Sequence, residues 1–404
     1  MKNSIYYIIA LCLLYIYLHN PILSFTGLGA LKFLYLFLPF FILPQVRCLI
    51  KSQKRVLYSF IAIIFFCVFR TLLGGDSTYI YTSAIACIEV FIIPIIFLYV
   101  FGKWNIDITK VLLGVAAISC LITVVSLFNP SFHSLIRGLM VEDEILEKRI
   151  YRGYGLSEGL TYAYGIILGM IGGFSLPYLS KYKWFILFLP LIILSIMVNA
   201  RTGMLIFGGC IGVYLISNYK IGLKLLFILS IIGVILSYTP ITFSLSDIAF
   251  EEEYTAIFIE EFFNQLSDTF LGTDKAISST TDTLFGEMIV WPNSLDEWII
   301  GRGESIFLGP ENSDIGYILQ LNYGGLVYLL LVIVLLCQLL RQVDSMFVKS
   351  ILIFTFFVAN IKGEFVINSG GFRLFVLICY VYGCHYRNTY FTNRVYSLNK
   401  NGMW

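Results

Sequence analysis

Arginine suits phosphate recognition, because its planar guanidinium presents a rigid fork of donors. Arg201 sits in the stretch Asn199-Ala200-Arg201-Thr202-Gly203, which opens a run apolar enough to enter a bilayer. A cation there is costly unless something anionic or polar meets it. Arg149 and Arg152 precede Gly153 and Gly155, just ahead of another apolar run. Arg302 lies between Gly301 and Gly303, and Asp314 and Tyr317 follow where the chain turns apolar again, with Gly316, Gly324 and Gly325 beside them. Glycines permit tight turns, and free N–H groups at a helix start can meet an anion. Each residue also has a plainer reading. Arg201 could snorkel to the headgroups. Glu144 and Glu147 could pair with Lys148 and Arg149 in a solvated loop, and Ser313 or Asp314 could cap the following helix. Glu89 is a charge in the middle of an apolar run, where a partner is expected; Arg70 and Lys362 are the cations considered for it. Lys362, Glu364 and Arg373 group together late in the chain.

The elements that must position these residues are membrane helices. The chain has 404 residues, 58% hydrophobic and only 13% charged, with a mean hydropathy of +0.85. A soluble domain carries about 25% charged residues. About twelve apolar segments approach the length that crosses hydrocarbon. They cover 4–18, 30–43, 56–72, 79–101, 111–128, 160–179, 184–199, 202–216, 221–238, 315–340, 346–360 and 372–386. Helices are the spanning form, since each backbone group must find its partner within the segment. The expected fold is an all-α polytopic membrane protein, a single integral membrane domain. The apolar N-terminus reads as a retained first helix rather than a cleaved signal.

Charge sets the expected orientation. Arg47, Lys51, Lys54, Arg55, Lys103, Lys110, Lys181, Lys183, Lys220, Lys224, Arg341 and Lys349 fall in turns on one side, with Lys2 and the basic C-terminal tail. The acids fall mostly on the other. Both termini are therefore expected in the cytoplasm, with two large external loops at 129–159 and 239–314. The second is too long for a connector, and its aromatics argue against disorder. Short amphipathic helices lying on the membrane are expected within it.

The net charge of +2 and the absence of a basic patch give no sign of nucleic acid. The nine cysteines lie in or beside apolar runs and form neither a disulfide framework nor a metal spacing. Histidines 19, 133 and 385 are scattered. With no HExxH, no DxD and no nucleotide-binding loop, neither metal nor ATP is indicated and no cofactor is expected.

The pattern of spans and loops resembles the Wzy-type O-antigen polymerases, relatives of the O-antigen ligases. "ARTG" at 200–203 is similar to that family's arginine-containing turn, "RGYGL" at 152–156 to its upstream arginine segment, and "GRGES" followed by "NSDIGYILQLNYGG" to the end of its large loop and the helix after it. Ligases have a histidine near that point; Asn312-Ser313-Asp314 has none, which favours polymerase. The resemblance implies joining of oligosaccharide repeats carried on undecaprenyl pyrophosphate, at the outer face of the bacterial inner membrane. Membrane lipid, a chain-length regulator and a flippase are the implied partners. Arg201, Arg152 and Asp314 would carry catalysis, while Arg302, Arg149, Glu304 and Tyr317 would bind substrate. Pyrophosphate is a good leaving group, so external arginines would stabilise its departure and a carboxylate would take the acceptor's proton. Asp314, Glu304 and Glu158 are the candidates for that carboxylate. Three other readings stay open: a flippase for the same lipid-linked sugar, a polymerase of capsule or another glycan, and a non-catalytic scaffold.

Overall fold

The structure is a computed structural model that describes residues 2–24, 28–140, 155–158, 162–199, 201–218, 288–306, 313–366 and 370–383. Arg149 and Arg152 lie outside the described residues, as do the apolar segment 221–238 and most of 239–314. The described chain is all-α apart from a two-residue ribbon pairing Ile22–Leu23 with Leu28–Gly29. Four helical stretches are long and apolar enough to cross a membrane: Lys54–Leu72, Thr78–Lys103, Ile108–Phe128 and Gly316–Leu340. A fifth exists if Ala30–Ile42 and Pro44–Ser52, bent by 99°, form one span. The remaining apolar helices are shorter.

In chain order the helices are α1 (Lys2–His19), a 3-10 stretch Ala30–Ile42, α2 (Pro44–Ser52), α3 (Lys54–Leu72), α4 (Thr78–Ala86), α5 (Ile93–Lys103), α6 (Ile108–Phe128) and α7 (Pro130–Leu139). Then come α8 (Ala163–Ser175), α9 (Leu189–Asn199), α10 (Arg201–Ser217), α11 (Leu295–Ile300), α12 (Gly316–Leu340) and α13 (Met346–Ala359). The last, α14, is Gly370–Gly383.

Proline and glycine explain the breaks. Leu43 is extended, as the residue before Pro44 prefers, and the chain turns there into α2. Pro94 lacks the N–H that would bond the carbonyl of residue 90. A widened π-helical turn, Cys87–Ile92, precedes it and carries Glu89. Gly325 adopts φ 63°, ψ −162° inside α12 and divides it.

Contacts show which helix ends lie together. The Tyr7 hydroxyl donates to the Lys110 carbonyl, while His19 meets Ser119, so α1 and α6 run parallel. α8 and α10 also run parallel, and glycines bring them close. A Cβ on Gly203 would collide with the Gly165 carbonyl, and one on Gly169 with the Gly203 carbonyl; further down, Gly172 abuts Phe207 and Gly173 abuts Cys210. Small residues that let backbones touch are a main source of helix association in lipid. α13 packs on α10 through Phe354 against Gly209. One end of the bundle, the His19 end, therefore gathers the starts of α8, α10, α12 and α14 and the finishes of α1, α3, α6 and α13. The opposite, Lys54 end, carries Lys103, Asp107, Lys181, Arg341 and Asp344. There Lys181 pairs with Asp107 at 3.0 Å.

Candidate functional site

Two structured loops meet the His19 end. The first is Gly301-Arg302-Gly303, directly after α11. Ser294 caps that short helix by accepting from the Glu297 N–H at 3.2 Å. The break at Gly325 leaves α12 carbonyls without helical donors, and the loop supplies them. Arg302 N–H donates to the Asn322 carbonyl at 2.6 Å and Gly303 N–H to that of Tyr323 at 3.0 Å. Gly301 and Gly303 both have positive φ, and a Cβ at Gly301 or Gly325 would strike the facing backbone. Glycine is required at both positions. Arg70, near the end of α3 and only 5% exposed, donates from Nη2 to the Gly301 carbonyl at 3.1 Å. Asp76 N–H donates to the Gly303 carbonyl at 2.7 Å. Beside them Tyr79 and Tyr323 stack with centroids 3.5 Å apart, and Tyr328 meets both edge-on.

The second is the turn from Ala359 to Val366. Tyr162, just before α8, donates from its hydroxyl to the carbonyls of Ala359 and Gly363. Gly316, the first residue of α12, lies so close to Gly363 that a Cβ would collide with its carbonyl. Gln320 donates to the Asn360 side chain at 3.4 Å. The turn is thus held from α8, α12 and α13 at once, and it carries Glu364. This half-buried carboxylate has no hydrogen-bond or ion-pair partner among the described residues. Burial pushes its pKa up from 4.5 to about 8, and it lies within electrostatic reach of Cys67, Tyr79, Tyr162 and Tyr328.

The residues singled out from sequence fall into separate groups. Arg201 is the first residue of α10, at the end of the bundle that holds Tyr162 and the Glu364 turn. Asp314 lies two residues before α12, half-buried at the same place. It does not cap that helix: Ile315 is the N-cap residue, and Ser313 Oγ accepts from the Ile315 N–H at 3.2 Å. Tyr317, one residue into α12, donates to the Phe357 carbonyl at 3.3 Å and so ties α12 to α13. Arg302 belongs to the first loop, where its Nε pairs with Glu297 at 3.1 Å and Nη2 donates to the Trp291 carbonyl at 3.2 Å. The Asn293 N–H and this guanidinium hold the Glu297 carboxyl below its usual range. Glu304 is exposed on the same loop. Glu158 accepts from the Asn20 side chain.

Glu89 finds its partner elsewhere than expected. Arg373, near the start of α14, meets it at 3.3 Å, and the Tyr35 hydroxyl donates to it at 2.7 Å. Arg70, the cation nearer in sequence, is committed to Gly301 instead. Glu364 was visible in the sequence, but no local pattern set it apart from other acids; its isolation comes from tertiary packing.

Among the described residues no group of three or more His, Cys, Asp or Glu side chains is arranged to hold a metal ion. Comparison with protein-family models, curated proteins and solved structures finds no match.

Proposed function

We propose that this chain is a membrane glycosyltransferase that polymerises oligosaccharide repeats carried on undecaprenyl pyrophosphate, as the O-antigen polymerases do, with the His19 end facing out of the cytoplasm. Its place would be the bacterial inner membrane, with both termini cytoplasmic. The observation that carries this reading is a convergence. The start of α10 with Arg201, the approach to α12 with Asp314, and the pinned turn bearing Glu364 all meet at one end of an apolar bundle. A guanidinium and carboxylates at a lipid boundary are what the transfer needs: the cation stabilises the departing pyrophosphate, and an acid–base group handles the acceptor proton. Charge supports the orientation. Lys54, Arg55, Lys103, Lys181 and Arg341 lie at the opposite end, as cytoplasmic residues do.

In this reading Arg201 grips the lipid-linked diphosphate, Arg152 shares the catalytic role and Arg149 binds substrate. Arg302 shapes the rim of the site through its loop and keeps Glu297 beside it, with Glu304 and the tyrosines near the sugars. The test is genetic. An Arg201→Ala strain should make lipid A core bearing a single repeat and no long chains, with the protein still in the membrane. Unchanged long chains would remove Arg201 from the mechanism.

A second reading, a transporter of the same lipid-linked sugar, draws on the Glu89–Arg373 pair buried among the helices, since intramembrane charges often line transport paths. Loss of even the single repeat in a deletion strain would favour it.

A further inference from the structure

Of the carboxylates at the His19 end, most have structural work. Glu89 holds Arg373, Glu297 holds Arg302, and Glu158 accepts from Asn20. Asp76 accepts from the Thr78 N–H at 2.8 Å at the start of α4. Glu304 points from an exposed loop. Asp314, half-buried two residues before α12, shares with Glu364 the lack of a hydrogen-bond or ion-pair partner among the described residues; Glu364 differs from it in the turn that holds it. Its turn is fixed by the Tyr162 hydroxyl, by the contact of Gly316 with Gly363 and by the Gln320–Asn360 bond. Its carboxylate is half-buried, within electrostatic reach of Tyr79, Tyr162 and Tyr328, with no partner among the described residues. Taking a carboxylate out of water without a partner costs stability. A turn that positions such a group so firmly while leaving it unpaired among the described residues gains nothing structural from them by it, and desolvated acids concentrate at working sites. The Tyr328 hydroxyl, within electrostatic reach of the carboxylate, is also buried without a hydrogen-bond partner among the described residues.

We propose that Glu364 is the general base of the transfer, taking the proton from the acceptor sugar's hydroxyl; this rests on the polymerase reading above. The acceptor oxygen attacks the anomeric carbon of the donor glycan. The bond from that carbon to the pyrophosphate oxygen breaks, and its electron pair leaves with the pyrophosphate. The hydroxyl proton passes to the Glu364 carboxylate and then to water. A carboxyl raised by burial toward neutral pH is a stronger base than an exposed one and still ionises.

The experiment uses the purified full chain in lipid nanodiscs with synthetic undecaprenyl-pyrophosphate-linked oligosaccharide. Wild type should extend it, and Glu364→Gln should lower turnover by about a hundredfold or more, with substrate binding within about threefold of wild type by the same measure. Glu364→Asp should retain more turnover than Glu364→Gln. Wild-type turnover should rise between about pH 6 and about pH 9 as the base ionises, a readout that needs no variant to fold. If wild type extends the glycan but Glu364→Gln does so at an unchanged rate, or the wild-type profile is flat, Glu364 is not the base and the polymerase reading survives. If wild type extends nothing, the polymerase reading and this assignment fall together.

Discussion

The Tyr162 hydroxyl donates to the Gly363 carbonyl at 3.2 Å across 201 residues of chain. One aromatic residue ahead of α8 thereby holds the turn that carries Glu364. Tyr162→Phe removes that donor and the bond to Ala359 while keeping the ring. Stability should fall by about 1 kcal/mol, and turnover by roughly ten- to a hundredfold as the carboxylate loses its position. Thermal unfolding in detergent and a glycan-extension assay measure the two effects. Unchanged turnover would mean that the turn is held without Tyr162.

Glu364 also predicts how stability depends on pH. Its folded pKa of about 8 lies above the ordinary 4.5, so the folded chain holds this proton more tightly than the unfolded one. The contribution is most favourable below about pH 4.5 and is lost as pH rises toward about 8. Cys67, Tyr79, Tyr162 and Tyr328 are the titratable groups within its electrostatic reach, and thiols and phenols ordinarily carry no charge across that window. Glu364→Gln removes the burden, so its melting temperature should match wild type near pH 5 and exceed it near pH 8. A difference that is constant with pH would show that the carboxylate is not desolvated.

The loop at 301–303 and the break in α12 are made for each other. Gly325→Ala places a Cβ against Ile299 and Ile300, and Gly301→Ala places one against Tyr323 and Gly324; both positions have positive φ. Each substitution should cost about 1–3 kcal/mol from strain alone and lower the monodisperse fraction on size-exclusion chromatography. Gly208→Ala, on a helix face with open space, serves as the neutral control.

How much of this was legible in the sequence varies with the range of the interaction. Apolar runs gave the helices, because composition and length act locally; the described segments coincide with helical stretches from α1 to α14. The breaks at Pro44 and Pro94 follow from local chemistry of the same kind. The partners did not. The sequence offers Glu89 the cations Arg70 and Lys362, yet it meets Arg373, which lies 284 residues away. From the resemblance Arg302, between two glycines, is a substrate-binding residue. In the fold those glycines serve the α12 break, and the guanidinium turns back onto Glu297. Asp314 stood out through its neighbours, whereas Glu364 gains its character only from the packing of three helices around one turn.

The buried pair itself can be tested. Glu89→Ala leaves Arg373 uncompensated and should cost about 3–5 kcal/mol, whereas replacing both with apolar residues of similar size should cost far less. Thermal unfolding of the two single variants and the double variant forms the cycle. Additive losses would show that Glu89 and Arg373 do not act as a pair.

In the reading proposed above, Arg201 at the start of α10 meets the diphosphate of a lipid-linked glycan. The most direct measurement supplies the purified protein with undecaprenyl-pyrophosphate-linked oligosaccharide and no nucleotide sugar, then resolves the product lengths. A ladder of whole repeats is expected from wild type and none from Arg201→Ala. Extension that requires a nucleotide-activated sugar, or a full ladder from Arg201→Ala, would contradict it.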